Sequence, residues 1–181
     1  MALTYTPAPN LGALLPEFAL PATDGKTHRP DDFMQAKILV VVFTCNHCPY
    51  AQAARPRLIA LHDLYVDQGV QFVAINSNDD GGYQEDSFTR MKEERYDYPF
   101  PYLRDESQEA AKAFGAVCTP DIFVFGQDRK LIYRGRLDDH WKDETAVTRA
   151  DLKEVLDTLL AGEPSSEKQF PSMGCSIKWK S

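Results

Sequence analysis

The chain alternates between short runs that are apolar throughout and longer stretches with apolar residues at helical spacing. Ile38-Leu39-Val40-Val41-Val42-Phe43 is continuous, apolar and rich in β-branched residues. Such a run needs cover on both faces, so it predicts a central, parallel strand. Leu58, Leu61, Leu64 and Tyr65 then recur at helical spacing up to Gly69. They predict a helix that opens at Thr44-Cys45 and is kinked at Pro56. Val70 to Ile75 reads as a second buried strand. Phe88, Met91 and Lys92 read as a polar helix that ends before Tyr98-Pro99. Ser107 to Phe114 predicts a short helix closed by Gly115. Asp121 to Phe125 is a strand that Gln127-Asp128-Arg129 turns into a partner, Lys130 to Arg134. A last helix, Ala150 to Leu160, carries Leu152, Val155, Leu156 and Leu159 on one face and stops at Gly162-Glu163-Pro164.

The ends are less patterned. Residues 1–16 lack periodicity and read as an arm. Glu17 to Leu20 looks like a short strand, Asp24-Gly25-Lys26 a turn and Pro30 to Phe33 a helical turn. Residues 163–181 read as a polar, irregular tail. The expected organisation is therefore an arm at 1–16, one α/β domain at 17–162 and a tail at 163–181. Two buried parallel strands joined by a helix put that helix's N-terminus at the carboxyl end of the first strand. In open α/β sheets this is the edge where ligands and chemistry collect.

Composition narrows the function. At roughly 150 residues per domain, a chain of 181 residues holds one domain with extensions. Hydrophobic residues at 43 % exclude wholesale disorder. With 20 Lys+Arg against 27 Asp+Glu the net charge is −7, a poor match to nucleic acid or an anionic membrane. No apolar run is long enough to span a bilayer. The first ten residues do not have the form of a secretory signal. Four cysteines, Cys45, Cys48, Cys118 and Cys175, are too few for a disulfide-dense scaffold. These features lead us to expect a cytoplasmic protein.

Two of those cysteines form a C-x-x-C pair in Phe43-Thr44-Cys45-Asn46-His47-Cys48-Pro49-Tyr50. Residues three apart on a helix sit one above the other, so their Cα atoms can fall within the roughly 4.4–6.8 Å that a disulfide requires. Placed at the helix opening, Cys45 would meet unpaired N–H groups and the positive end of the helix dipole, which lower thiol pKa values to about 3.5–7.5. His47, when protonated, would stabilise the thiolate further. Cys48, one turn further in, would be more buried and act as the resolving thiol, and Pro49 suits the first turn. A zinc half-site and an inert pair are the alternatives. A structural zinc needs four ligands, and no second C-x-x-C or H-x-x-x-H is present. A Cu(I)-type thiolate module using Cys45, Cys48 and a histidine would be expected to bring a Met- or His-rich segment, which is missing. No metal and no other cofactor is expected.

Further motifs carry a resemblance. Val117-Cys118-Thr119-Pro120 precedes a strand and looks like the cis-proline loop of the thioredoxin superfamily. Phe18 to Lys26 looks like the N-terminal extension of redoxins. Cys45 to Tyr50, Ile75-Asn-Ser-Asn-Asp79, Pro101 to Glu106, Tyr133-Arg-Gly-Arg136 and Gly174 to Trp179 together resemble a bacterial subfamily of thioredoxin-like redoxins. Its members are labelled thiol-disulfide oxidoreductases or AhpC/TSA-like, peroxiredoxin-like proteins. The resemblance implies a thioredoxin fold, three layers α/β/α around a mixed sheet, with an N-terminal β-hairpin extension and a C-terminal tail. It implies a redox-active Cys45–Cys48 pair, a cis Pro120, and a Thr119 backbone free to pair with an extended substrate. The implied partners are a disulfide-containing protein or small thiol and a reductant such as thioredoxin or glutathione. Neither cysteine carries the peroxiredoxin pattern P-x-x-x-[TS]-x-x-C: positions 38 and 42 are Ile and Val before Cys45, and positions 41 and 45 are Val and Cys before Cys48. A thiol-dependent peroxidase is therefore the second reading. The strand before the pair has no acid, so His47 or a residue from another segment must assist proton transfer.

Other candidates are weaker. Cys118 reads as a small buried residue beside the loop, or as an auxiliary thiol. Cys175 reads as an additional thiol that folds back, or as a tail residue without a role. Asp138-Asp139-His140 reads as a solvated turn, with a metal or proton relay as the alternative. His28 and His62 look like surface residues. Tyr96, Tyr98, Phe100 and Tyr102 read as packing around Pro99 and Pro101.

Overall fold

The computed structural model describes residues 3–93, 98–166 and 168–180. Tyr96 of the aromatic group lies outside them. The chain starts with β1 (Leu3–Tyr5) and a small hairpin, β2 (Leu20–Pro21) and β3 (Thr27–His28), followed by a helical turn at Pro30–Phe33. Next come β4 (Ile38–Phe43), α1 (Pro49–Tyr65) and β5 (Val70–Asn76). After these come α2 (Phe88–Glu93), β6 (Tyr102–Arg104), α3 (Glu109–Phe114), β7 (Cys118–Thr119), β8 (Asp121–Phe125) and β9 (Leu131–Gly135). The last elements are α4 (Asp151–Leu160) and β10 (Met173–Ser176).

Five strands form the main sheet in the order β6-β5-β4-β8-β9. β4 runs parallel to β5 and β5 parallel to β6, while β8 and β9 run antiparallel to their neighbours. β4 is buried at every position, as its apolar run requires. Alternate side chains serve different cores. Leu39, Val41 and Phe43 pack with Phe18, Phe33, Ala111 and Phe114. Val40 and Val42 pack with Ala54 and Leu58 of α1 and Leu152 and Leu156 of α4. The three-layer α/β/α arrangement follows from that division, with α1 and α4 on one face and α3 with the N-terminal hairpin on the other.

Two corrections concern α1. It starts at Pro49 with Cys48 as its N-cap, so Thr44 to His47 form a loop at the end of β4 and not the first turn. Proline at the first helical position costs no hydrogen bond and sets the start there. The helix then continues through Pro56 to Tyr65. His62 is also not a surface residue: it is buried on α1 against Phe72 and Phe100.

Arm and tail are strands of a second sheet, ordered β1-β10-β7. β10 lies antiparallel to β7, with Cys175 opposite Thr119 and Ser176 opposite Cys118. β1 covers its other edge, with Leu3 opposite Cys175. Beyond β10, the Ile177 N–H donates to Val117 O at 3.0 Å and the Asp79 N–H to Lys178 O at 2.7 Å. Gln108 closes the latch, donating to Lys178 O at 2.7 Å and accepting from Lys180 N–H at 2.8 Å. The sequence pattern of β10 is masked by its composition: Met-Gly-Cys-Ser has neither alternation nor β-branched residues.

Gly174 permits this docking. A Cβ built there would lie 2.0 Å from Thr119 O and 2.7 Å from Thr119 C, which backbone atoms cannot yield to. Gly174→Ala should therefore displace β10 from β7. Overpacking of this kind costs about 1–3 kcal/mol, which raises the population of the opened tail roughly 5- to 150-fold. The expected outcome is a matching rise in the rate at which the buried thiols react with a chromogenic disulfide reagent, measured by stopped flow. An unchanged rate would mean that the strand does not seal them.

Candidate active site

The loop between β4 and α1 brings Cys45, His47 and Cys48 to the carboxyl end of the sheet, and the Thr119-Pro120 peptide faces them. That peptide is cis, as the resemblance implied. Cys45 Sγ and the Thr119 hydroxyl are 3.3 Å apart, and Cys48 Sγ lies 3.3 Å from Thr119 O. The Cys45 and Cys48 thiols are hydrogen-bonded to each other, and Cys48 also bonds Cys175. Cys45, Cys48, Ala51 and Cys175 form one small buried cluster with Tyr50 at its edge. Three sulfurs therefore meet under the tail strand.

The charge in this cluster is the reverse of the sequence expectation. Burial pushes the Cys45 thiol well above the ordinary range, and the hydrogen bond to Cys48 and the Asp86 carboxylate add to the rise. Cys48 is held down to about 4 from the ordinary 9.0, first by the hydrogen bond from Cys45 and against its own burial. The Cys175 thiol and the Ala51 N–H of the first turn also lower it. The correction follows from the helix boundary: Cys48, not Cys45, occupies the N-cap, where the unpaired N–H groups favour a negative charge. Both cysteines are buried, and so is Cys175.

Thr119 differs too. Its backbone is not open to a substrate, because it pairs with Cys175 of the same chain. Cys118 is fully buried with its thiol 3.6 Å from Pro120 O, the small buried residue its sequence context suggests. A buried salt bridge supports the loop from behind. Arg134 donates to both oxygens of Asp121, at 3.1 and 2.8 Å, and to Gly115 O at 2.7 Å. One Asp121 oxygen accepts the Val117 N–H at 3.3 Å.

Sequence reasoning missed Asp86. It comes from the segment after β5, with no motif to mark it, and is fully buried. It accepts from Asn46 N–H at 2.6 Å, His47 Nδ1 at 2.5 Å and Asn78 Nδ2 at 2.8 Å. Burial alone would raise its pKa, but the hydrogen bonds from His47, Asn78 and Asn46 outweigh that and hold it below the ordinary carboxylate value. This is the acid that the strand before the cysteines lacks. His47 stacks on Tyr83 with ring centroids 4.2 Å apart, and its Nε2 is buried without a hydrogen-bond partner. Asn78 joins this acid to the tail, since its Oδ1 accepts the Lys178 N–H at 2.9 Å. Ligand atoms of Cys45, His47 and Asp86 lie within 4.8 Å of one another. Both Asp86 oxygens are already committed to donors, so a metal there would have to break those bonds.

The Asp138-Asp139-His140 segment is not a wholly solvated turn. Asp138 is buried and paired with Arg57 of α1, because the guanidinium also donates to Trp141 O at 2.6 Å and His140 O at 3.2 Å. Asp139 and His140 face outward. The fixed Trp141 ring packs on Tyr50 at 4.1 Å. Together with Tyr5, Pro120, Phe170 and Met173 these rings line a groove of about 190 Å³ beside the thiols.

The geometry can be set beside known proteins. A family profile described as Redoxin matches residues 10–156. The chain belongs to the redoxin family. A crystal structure of an uncharacterized conserved protein from Geobacillus kaustophilus is 46 % identical to this redoxin, with a TM-score of 0.92 over 99 % of this chain and 97 % of that one. The thiol-disulfide oxidoreductase ResA of Geobacillus thermodenitrificans is 24 % identical over 82 % of this redoxin and 78 % of its own length. The thioredoxin domain of a thiol-disulfide oxidoreductase from Bacteroides vulgatus is 16 % identical, with a TM-score of 0.56 over 68 % of this chain and 86 % of that one. This last likeness bears on the fold alone, and the fold is that of thioredoxin.

The depressed Cys48 thiol gives a pH prediction. A group whose folded pKa lies below its unfolded value stabilises the fold above the unfolded pKa and loses that effect as pH falls through the folded one. The reduced redoxin should therefore lose stability relative to its Cys45–Cys48 disulfide form as pH falls from 9.0 towards about 4. Thiolate ultraviolet absorbance of the reduced protein should titrate in the acid range, and the Cys48→Ser variant should lack that transition.

Proposed function

We propose that this redoxin is a thiol-disulfide oxidoreductase working through dithiol–disulfide exchange at Cys45 and Cys48. The observation that carries the reading is two hydrogen-bonded thiols at a helix N-terminus, both in contact with a Thr-Pro loop. The thiol-disulfide oxidoreductase named among the relatives supports it. When the tail lifts from Thr119, Cys45 attacks a substrate disulfide. One substrate S–S bond breaks, a mixed disulfide forms at Cys45, and the first substrate sulfur leaves as a thiolate. The Cys45 proton passes to the neighbouring His47 imidazole, whose Nδ1 is held by Asp86. Cys48, already ionised, then attacks Cys45 and releases the second substrate sulfur. A Cys45–Cys48 disulfide remains, and a thiol reductant such as thioredoxin or glutathione restores the dithiol.

The substrate class is a disulfide-bearing protein segment or a small disulfide. The aromatic groove beside Pro120 suits an apolar side chain next to the reacting sulfur. Opening of the tail frees the Thr119 backbone for strand pairing with such a segment. The absent P-x-x-x-[TS]-x-x-C pattern disfavours a peroxidase. Oxidation by hydrogen peroxide should proceed at the rate of an ordinary thiol.

Insulin reduction with dithiothreitol as electron donor tests the exchange. Cys45→Ser should abolish it. Cys48→Ser should accumulate mixed disulfides, visible by mass spectrometry, because the resolving step is gone. Wild-type turnover in Cys45→Ser would refute the reading.

A further inference from the structure

We propose that Cys175 is a third redox-active thiol, which takes Cys48 from the Cys45–Cys48 disulfide to form a Cys48–Cys175 bond. The inference rests on the exchange reaction proposed above and extends it to the tail. Strand register carries the argument. β10 occupies the edge of β7, and the residue it sets opposite Thr119 is Cys175. Cys175 thus sits where an extended substrate would present its own sulfur. Cys48 Sγ is the shared neighbour of the other two sulfurs, bonded to Cys45 on one side and Cys175 on the other. Pairing is held on both flanks, by β1 along the strand and by the Gln108 and Asn78 latch beyond it.

The chemistry balances without an added oxidant. After one turnover the pair holds a Cys45–Cys48 disulfide. The Cys175 thiol gives up its proton and its sulfur attacks Cys48. The Cys45–Cys48 bond breaks, the Cys48–Cys175 bond forms, and Cys45 leaves as a thiolate that takes up a proton. The number of disulfides is unchanged. In the reduced protein Cys175 is held back, its thiol pushed up to about 12 by burial and by the neighbouring Cys48. Once Cys48 is in a disulfide, the contribution of that neighbouring charge is gone, so Cys175 ionises most readily in the state that needs it. Exchange moves the disulfide from the loop onto the tail strand, the segment that must lift before an outside thiol can reach the site. The buried Cys45 returns to its thiol form while the external reductant meets the tail.

The test is a disulfide map of the full-length protein. Reduced redoxin is equilibrated in glutathione buffers of increasing oxidised fraction, quenched in acid, alkylated and digested with trypsin. Cys45 and Cys48 share the peptide 38–57, and Cys175 lies in the peptide 169–178. Wild-type protein should yield these two peptides joined by a disulfide, and Cys45→Ser should yield the joined form as its main oxidised product. Cys118 should stay alkylated throughout. If oxidised wild type carries only the Cys45–Cys48 bond, with Cys175 alkylated at every ratio, the inference fails while the exchange reading stands, provided insulin is still reduced. If neither bond forms and insulin is not reduced, both fail. In the joined wild-type product, fragmentation of peptide 38–57 should find the alkyl label on Cys45 and none on Cys48, which decides the question even where Cys45→Ser does not fold; a label on Cys48 instead would overturn the inference.

Discussion

Backbone pairing between Cys175 and Thr119 is the contact on which the rest of the site depends. It closes the sheet edge beside the cis-proline, covers Cys45 and Cys48, and supplies the third sulfur. Gly174 makes it geometrically possible, since its backbone rests directly on the Thr119 carbonyl. Without that strand the two cysteines would lie at an open edge, as expected for a protein that greets its substrate with an exposed thiolate. With it, the reduced enzyme keeps a negative sulfur out of water and ties its release to movement of the chain end.

Ionisation and cover are linked by the same few residues. Cys48 gains its charge first from the Cys45 thiol, against its own burial, and then from Cys175 and the helix N-terminus, not from a cation. Asp86 is charged beneath the loop, and Asn78 ties it to the tail latch. A proton arriving at the His47–Asp86 pair therefore acts one hydrogen bond away from the segment that seals the sulfurs. The arrangement places acid–base chemistry and tail mobility in a single network, in which changing one partner shifts the balance for the others.

The main sheet was legible because its strands announce themselves. Ile38–Phe43 and Asp121–Phe125 are apolar at almost every position, and the structure gives these bounds unchanged. The Pro30–Phe33 turn and the Gly115 helix end were equally plain, the latter because Gly115 adopts a φ of 66°. The start of α1 was misjudged because Thr44 and Cys45 look like an opening, while Pro49 decides it. β1 and β10 were hidden because three- and four-residue strands stabilised by tertiary pairing leave no periodic trace. Asp86 was hidden for a related reason: an acid in a polar loop looks solvated until the fold wraps Asn46, His47 and Asn78 around it. The cysteine pair and the Thr-Pro loop were visible as motifs. Their ionisation was not, since it turns on where the helix begins, at Pro49 with Cys48 as its cap and not at Thr44-Cys45.

Both described ends of the chain run beside the reacting sulfurs. β1, starting at Leu3, flanks β10, and β10 flanks Thr119. Anything joined ahead of Leu3, whether a purification tag, a leader or a neighbouring domain, would emerge over the redox centre and not on a remote surface. Such an attachment becomes part of the lid, so its bulk and charge would set how readily that lid opens.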